Sequence, residues 1–243
     1  MKNINEFLSK RQTASGFNIR LRYFINQYLE YKKTHFLPIK ILDIGCGQNC
    51  ELFKYRRKED KYCGCDFYDK INIEIDDYQK INLNEENLAD KYKDEKFDVI
   101  FCGEVIEHLF SPDNLLDEIK ELMHKNSILI LSTPNLGYYM NRIMLLFGIS
   151  PFFLENSSEI KLGRKCRFLG QFNKTEGHIR LFTYSALREL LNLKEFQIIK
   201  IKSVPVWDNV FDRIIGLLSK SLSADNVFLL QLGYGKIGKI KKI

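Results

Sequence analysis

Two carboxylates and an imidazole stand within five residues at Glu104-Val105-Ile106-Glu107-His108. Offsets of three and four bring all three side chains onto one face if the chain coils there. Such a group suits a divalent cation such as Mg²⁺ or Mn²⁺, or a metal with more taste for nitrogen. It suits equally well direct general-base work by His108, with Glu104 or Glu107 orienting the ring. The plainer alternative is that Glu107 and His108 cap and brace a turn. His178 and Arg180, farther along, read by themselves as substrate-contact or supporting residues.

A second group lies upstream. Ile41-Leu42-Asp43-Ile44-Gly45-Cys46-Gly47 is a short apolar run that ends in an acid and then two glycines, where a strand must turn into a helix. Glycine permits the positive φ and the close backbone approach such a turn needs. Asp66, about twenty residues on, falls where a carboxylate accepts both hydroxyl hydrogens of a ribose. A Gly-x-Gly alone is as often an ordinary tight turn; paired with Asp43, Asp66 and the strands around them, it points to a nucleoside. The third glycine of a dinucleotide turn would fall on Cys50, which counts against NAD.

The elements that must hold these groups follow from apolar patterning. Strands are predicted at residues 38–43, 61–66, 78–83, 97–102, 127–132, 196–201 and 226–232. Most are short continuous apolar runs alternating with helices, the mark of a parallel sheet covered on both faces. An amphipathic helix over 16–33, within an N-terminal helical cover at 1–37, precedes the first strand and should flank the ligand cleft. Ser111-Pro112-Asp113 supplies an N-cap, a first-turn proline and a first-turn acid; that helix should run to about His124, with Asn126 as a left-handed stop. Further helices are expected at 140–147, 183–193 and 210–222. The polar stretch that follows Phe147 is long for a plain connection, and the segment 138–180 reads as an insertion that covers the substrate.

Composition narrows the class. The chain has 243 residues, 45% hydrophobic and 28% charged, enough apolar matter for one large α/β domain and unlike a disordered chain. Lys+Arg exceed Asp+Glu by 37 to 31, and four of the lysines (Lys236, Lys239, Lys241 and Lys242) crowd a tail at 236–243. The body is thus near neutral, which weighs against a nucleic-acid partner. No run reaches the roughly 18 apolar residues of a spanning helix and no secretory signal opens the chain, so a cytoplasmic protein with no transmembrane segment is expected. Six cysteines in a chain of this size read as buried free thiols rather than disulfides or a metal knuckle, and neither Cys46 nor Cys50 is needed as a nucleophile. Oligomeric state is not legible.

Asp43-x-Gly45-x-Gly47 resembles the first motif of class I S-adenosylmethionine-dependent methyltransferases. The likeness extends from about Ile39 to Phe196 through residues 97–109, Leu131-Ser132-Thr133-Pro134-Asn135 and residues 177–183, in the branch holding ubiquinone-type O-methyltransferases and bacterial sugar O-methyltransferases. It implies a Rossmann-like α/β fold: a seven-stranded, mostly parallel sheet, helices on both faces, the last strand antiparallel. It also implies S-adenosylmethionine held by Asp43, Gly45, Gly47, Asp66, Asn82, Cys102, Gly103 and Glu104. Asn49 replaces the family's glycine, and Asn82 stands where an acid would meet the adenine. In related enzymes a similar Glu-x-x-Glu-His binds metal, sometimes completed by a later histidine, which implies Glu104, Glu107, His108 and His178 here. The expected reaction is in-line methyl transfer to a hydroxyl. The acceptor expected first is a sugar, nucleotide-linked, in surface-polysaccharide synthesis, because Arg142, Lys161, Arg164, Lys165 and Arg167 in the insertion would neutralise a diphosphate, although such residues also suit a solvated loop. A quinone precursor, an RNA 2′-hydroxyl, and a cofactor-binding protein without transfer activity are the other readings.

Overall fold

The computed structural model describes residues 16–205 and 210–233; the lysine tail at 236–243 and the beginning of the expected N-terminal cover lie outside the described residues. Helix α1 (Gly16–Thr34) leads into β1 (Lys40–Ile44), β2 (Lys61–Asp66), β3 (Asp77–Lys80), the short α2 (Leu88–Lys91) and β4 (Phe97–Gly103). Then come α3 (Pro112–Leu122), β5 (Met123–Pro134), α4 (Tyr139–Leu146), α5 (Tyr184–Leu193), β6 (Phe196–Val204), α6 (Val210–Leu218) and β7 (Asp225–Leu232). The seven strands form one sheet in the order β3-β2-β1-β4-β5-β7-β6. Only β7 opposes its neighbours, pairing antiparallel with β5 and β6.

The continuous apolar runs of the central strands have a physical cause: both faces are covered. Successive residues alternate between two cores. Ile41, Val99, Phe101 and Ile130 pack under Tyr23, Phe24, Tyr28 and Tyr31 of α1. Leu42, Ile44, Ile100, Cys102, Leu129 and Leu131 face the other way, onto Leu115, Leu116 and Ile119 of α3 and Leu187 and Leu191 of α5. The order reverses between β1 and β4, so the connections after them diverge and leave a crevice at their C-terminal ends.

The structure differs from the sequence-based expectation at three joints. The chain after β1 enters a 3-10 turn (Glu51–Tyr55), not an α-helix. Helix α3 does start at Ser111, whose hydroxyl accepts from Asn114 N–H, but it stops at Leu122. Asn126 is not left-handed. There Ser127 Oγ accepts from His124 N–H at 2.8 Å and donates to Phe97 O at 2.6 Å, so a side chain takes over the role expected of a left-handed residue. The extra residues are absorbed where the β4–β5 register jumps from Phe97 with Met123 to Val99 with Ile128. Finally, α6 ends at Leu218 and a separate 3-10 turn follows (Lys220–Leu222).

One polar device holds α1 to the sheet. Lys32 and Asp60 are both fully buried and 2.9 Å apart. Asp60 also accepts from Tyr28 Oη at 2.6 Å and from Ile39 N–H at 3.0 Å. Removing Lys32 strands a buried carboxylate, which costs about 3–5 kcal/mol. Lys32→Met is therefore expected to lower the denaturant midpoint, and Lys32→Met with Asp60→Asn to recover part of the loss.

Candidate active site

Two adjoining regions lie at the C-terminal ends of β1, β4 and β5. The first is a cleft of about 290 Å³ walled by the glycine turn, the end of β4 and α1. Gly45 and Gly47 both have positive φ, at 71° and 64°. A Cβ on Gly45 would come within 2.3 Å of Val105 Cγ2, so only glycine fits there. The turn is tied to the next strand: Gly45 N–H donates to Cys65 O at 2.9 Å, and Gly47 N–H to Asp66 Oδ2 at 2.8 Å. The left-handed residue beyond the glycines is Cys50, not Asn49.

Asp43 borders this cleft and is buried, with Tyr62 Oη donating to it. Burial lifts its carboxyl to about 7; the Tyr62 hydrogen bond works against the rise and the neighbouring Asp66 charge adds to it. Gly103 and Glu104 line the same cleft. Cys102 does not: its side chain is buried in the core on the α3 face. Asn82 stands outside the cleft, its amide oxygen accepting from Asn84 N–H at 3.2 Å in the turn after β3.

Glu104 corrects a sequence-based expectation. Its φ is +58°, which reverses the chain at the end of β4. The coil that follows is only a 3-10 turn (Ile106–His108) and starts after Glu104, so the three-and-four spacing never operates across it. Glu104 turns instead into the cleft of the glycine turn, accepting from Ser132 Oγ at 2.8 Å and lying 3.4 Å from the Arg20 guanidinium. Arg20 donates at 2.8 Å to Asp225, whose carboxyl burial lifts to about 8, with Glu104 adding to the rise. Glu104 thus does not stand with Glu107, His108 and His178, whose ligand atoms group without it.

The second region is that unit without Glu104. Ligand atoms of Glu107, His108 and His178 lie within 4.8 Å of one another. Glu107 is fully buried; Thr133 Oγ1 donates to its Oε2 at 2.8 Å, while Oε1 has no partner. Burial, and then the Glu104 charge, hold this carboxyl well above the usual range. His108 Nδ1 sits 3.0 Å from Gly177 O and His178 Nδ1 3.0 Å from Phe153 O. A carbonyl can only accept, so each Nδ1–H donates there, and His178 Nε2 lies 3.7 Å from Glu176 Oε2. The Nε2 atom of His108 stands 4.0 Å from the orphaned Oε1.

His178, in the insertion and 70 residues downstream of His108, is brought here by backbone. Ile179 and Arg180 N–H both donate to Glu107 O at 2.9 Å. Glu155 then accepts from the N–H groups of Glu176, Gly177 and His178 at 2.8–2.9 Å. Burial opposes its ionisation, but these donors and His178 outweigh it and its carboxyl lies below the usual range. Arg20, Asp225, Thr133 and Glu155 were given no role by sequence reasoning. Arg20 had one available signal, a cation on the helix expected to flank the cleft; Glu155 had none.

The basic residues of the insertion are not arranged for a diphosphate. Arg164 is buried and donates to the carbonyls of Pro151 and Phe152. Lys161 is buried against Glu155 and Glu176. Arg142 donates to Gly137 O and Ser221 O, and Lys165 to Phe147 O.

This strand order, with a glycine turn beside an acid at the end of β2, defines a nucleoside-binding fold of the class I methyltransferase type. The methyltransferase-domain family matches residues 17–201, and the chain belongs to it, as a class I S-adenosylmethionine-dependent methyltransferase. Among curated relatives, the ubiquinone biosynthesis O-methyltransferase of Pelagibacter ubique is 34% identical over 141 residues, covering 52% of this chain and 57% of that protein. The enzyme of the same name from Pasteurella multocida is 31% identical over 113 residues, covering 40% and 46%. The chain thus spans about half the length of the curated relatives it matches. In fold it is similar to an S-adenosylmethionine-dependent methyltransferase from Clostridium acetobutylicum, with a TM-score of 0.56 at 12% identity over 87% of this chain and 91% of that one. Among the described residues no helix is long and apolar enough to cross a membrane.

The position of Asp43 gives a pH dependence. S-adenosylmethionine carries a sulfonium and an ammonium, and with the cofactor against Asp43, as the resemblance implies, an ionised carboxylate is favoured, so binding is expected to release a proton wherever Asp43 is protonated beforehand. Its folded-state pKa of about 7 means that affinity should fall as pH drops below 7 and level off above it. Calorimetry from pH 6 to 8 reads this directly, and Asp43→Asn should flatten the profile. The stability linkage has the opposite sense: between the ordinary value of 3.8 and about 7 the folded chain holds the extra proton, so this group's contribution to stability declines as pH rises through that window.

Proposed function

We propose that the chain transfers the methyl group of S-adenosylmethionine to an aromatic hydroxyl of the kind a quinone precursor carries. The convergence of ligand atoms of Glu107, His108 and His178 carries this reading, because a hydroxyl, unlike an amine, is a poor nucleophile until its proton leaves. The sulfonium needs little activation, so the protein's main work is to align acceptor oxygen, methyl carbon and sulfur. The acceptor class draws on the ubiquinone biosynthesis O-methyltransferases among the relatives. It also draws on Phe110 and Ile179, exposed apolar side chains two and one residues from His108 and His178 respectively. A nucleotide-linked sugar loses its main argument, since Lys161, Arg164 and Lys165 are engaged inside the insertion and Arg142 with Gly137 O and Ser221 O beside it.

The trio fits a divalent cation: an orphaned buried carboxylate oxygen faces two imidazoles whose tautomers are set by backbone carbonyls, the usual second layer around metal-bound histidine. Glu107, His108 and His178 would hold it, and it would supply Lewis-acid stabilisation of an acceptor oxyanion. With Glu104 excluded the donors are two nitrogens and one oxygen, which suit Mn²⁺ or Zn²⁺ better than Mg²⁺. Thr133 fixes Glu107, Gly177 O fixes the His108 ring, and Glu155 fixes the loop that delivers both Gly177 and His178. A second reading, favoured by His108 being the partly exposed member of the trio, has its Nε2 take the hydroxyl proton directly.

The deciding experiment is methyl transfer by the full chain to a panel of catechols, nucleotide sugars and RNA, with product mass as readout, before and after chelation. Transfer to the catechols alone supports the proposal. Transfer to a sugar or RNA in their place overturns the acceptor, and activity that survives chelation selects direct base catalysis.

A further inference from the structure

The two imidazoles of the cluster have matching surroundings. The rings of His108 and His178 lie with centroids 5.0 Å apart. Each gives its Nδ1–H to a backbone carbonyl, Gly177 O and Phe153 O respectively, both at 3.0 Å. Each Nε2 stands opposite a carboxylate oxygen: Glu107 Oε1 at 4.0 Å from His108, and Glu176 Oε2 at 3.7 Å from His178. A neutral imidazole that donates through Nδ1 is an acceptor at Nε2, and an ionised carboxylate is an acceptor only. Acceptor thus faces acceptor twice, and such a pair is relieved by a proton or a cation between its members. Two ligand atoms each about 2.0–2.2 Å from one ion lie at most roughly 4.4 Å apart, so both separations suit a shared ion.

The first pair belongs to the trio of Glu107, His108 and His178; Glu176 stands at its edge. Glu176 is placed from two sides. Its N–H donates to Glu155 Oε1 at 2.8 Å, and its Oε1 accepts from Lys161, a buried ammonium that also lies 3.5 Å from Glu155. With Oε1 taken, Oε2 is the oxygen left toward His178. The Glu176 side chain is 61% exposed, so it can close on an ion without repacking the core. Charge favours this too. Glu107 is the one carboxylate of the trio, so a divalent cation held there keeps a net positive charge, which a second carboxylate cancels.

We propose that Glu176 is a fourth protein ligand of the cation that Glu107, His108 and His178 would hold, its Oε2 closing the site beside His178; this rests on the metal reading of the trio. The test is titration of the full chain, with S-adenosylmethionine bound, with Mn²⁺ alone, read by loss of the free-ion electron paramagnetic resonance signal. The wild-type chain is expected to take up one Mn²⁺, and Glu176→Gln to bind it more weakly by about tenfold or more. Calorimetry with S-adenosylmethionine should be unchanged, which shows the variant is folded. Glu176→His should recover much of the Mn²⁺ affinity, because histidine supplies a ligand atom but cannot pair with Lys161. A Glu176→Gln chain that binds Mn²⁺ as wild type does would overturn the proposal and leave a proton between Glu176 and His178. A Glu176→His chain as weak as Glu176→Gln would also overturn it, reducing Glu176 to a brace for the loop through Lys161. Both results leave the metal reading standing, whereas a wild-type chain that takes up no Mn²⁺ overturns that reading and the fourth ligand together.

Discussion

His108→Ala is expected to lower the rate of methyl transfer by about 10²- to 10⁴-fold while leaving the affinity for S-adenosylmethionine nearly unchanged. The ring does not line the cleft of the glycine turn, and its Nε2 stands 4.0 Å from the orphaned oxygen of Glu107, so its removal is expected to touch the acceptor's proton and not the sulfonium. Single-turnover rates and cofactor calorimetry on the same variant separate the two quantities. His178→Ala adds a second measurement. If a cation is held by the trio, losing His178 harms the rate about as much as losing His108; if His108 takes the proton alone, the loss is much smaller. Glu155→Gln should give a partial loss, since a neutral amide oxygen still accepts from the three N–H groups but more weakly than a carboxylate. Rates within threefold of wild type for both histidine variants would remove the cluster from the mechanism and leave the fold and cofactor site standing.

Asp66→Ala carries the other large expected effect, on binding rather than on rate. The carboxylate is the anchor of Gly47 N–H and the acceptor for the ribose hydroxyls that the methyltransferase resemblance implies. Hydrogen bonds to a charged group contribute about 1.5–3 kcal/mol each, so losing two weakens S-adenosylmethionine by roughly 10²-fold or more. Asp66→Asn should retain part of this through its amide oxygen. Gly45→Ala tests the same turn from the steric side. Its Cβ would overlap Val105 Cγ2 at 2.3 Å, on a backbone whose φ is +71°. Adding Val105→Ala should relieve the overlap and recover some affinity, but not all, because the left-handed strain remains. An Asp66→Ala variant that binds the cofactor as wild type does would show that the nucleoside is held elsewhere.

What the sequence determined by itself is local. The acid–glycine turn at Asp43, Gly45 and Gly47, the acid at the end of β2 and the seven strands are written in contiguous runs, because a buried parallel strand and a left-handed turn each restrict residue type at a few adjacent positions. The N-cap at Ser111 is legible for the same reason. What only tertiary structure decided is which groups meet. Glu104 stands three residues from Glu107, yet a φ of +58° sends it to Arg20 and the cleft of the glycine turn. His178 stands 70 residues from His108 and reaches it because Glu107 O captures two N–H groups and Glu155 three more. Arg164 and Lys165, which look free in the sequence, donate to carbonyls of the insertion, and Lys161 is paired with Glu155 and Glu176, since an irregular segment must satisfy its backbone without a ladder. Spacing along the chain predicts side-chain proximity only where regular structure continues unbroken; across a reversal or a long connection, backbone hydrogen bonds formed on folding decide.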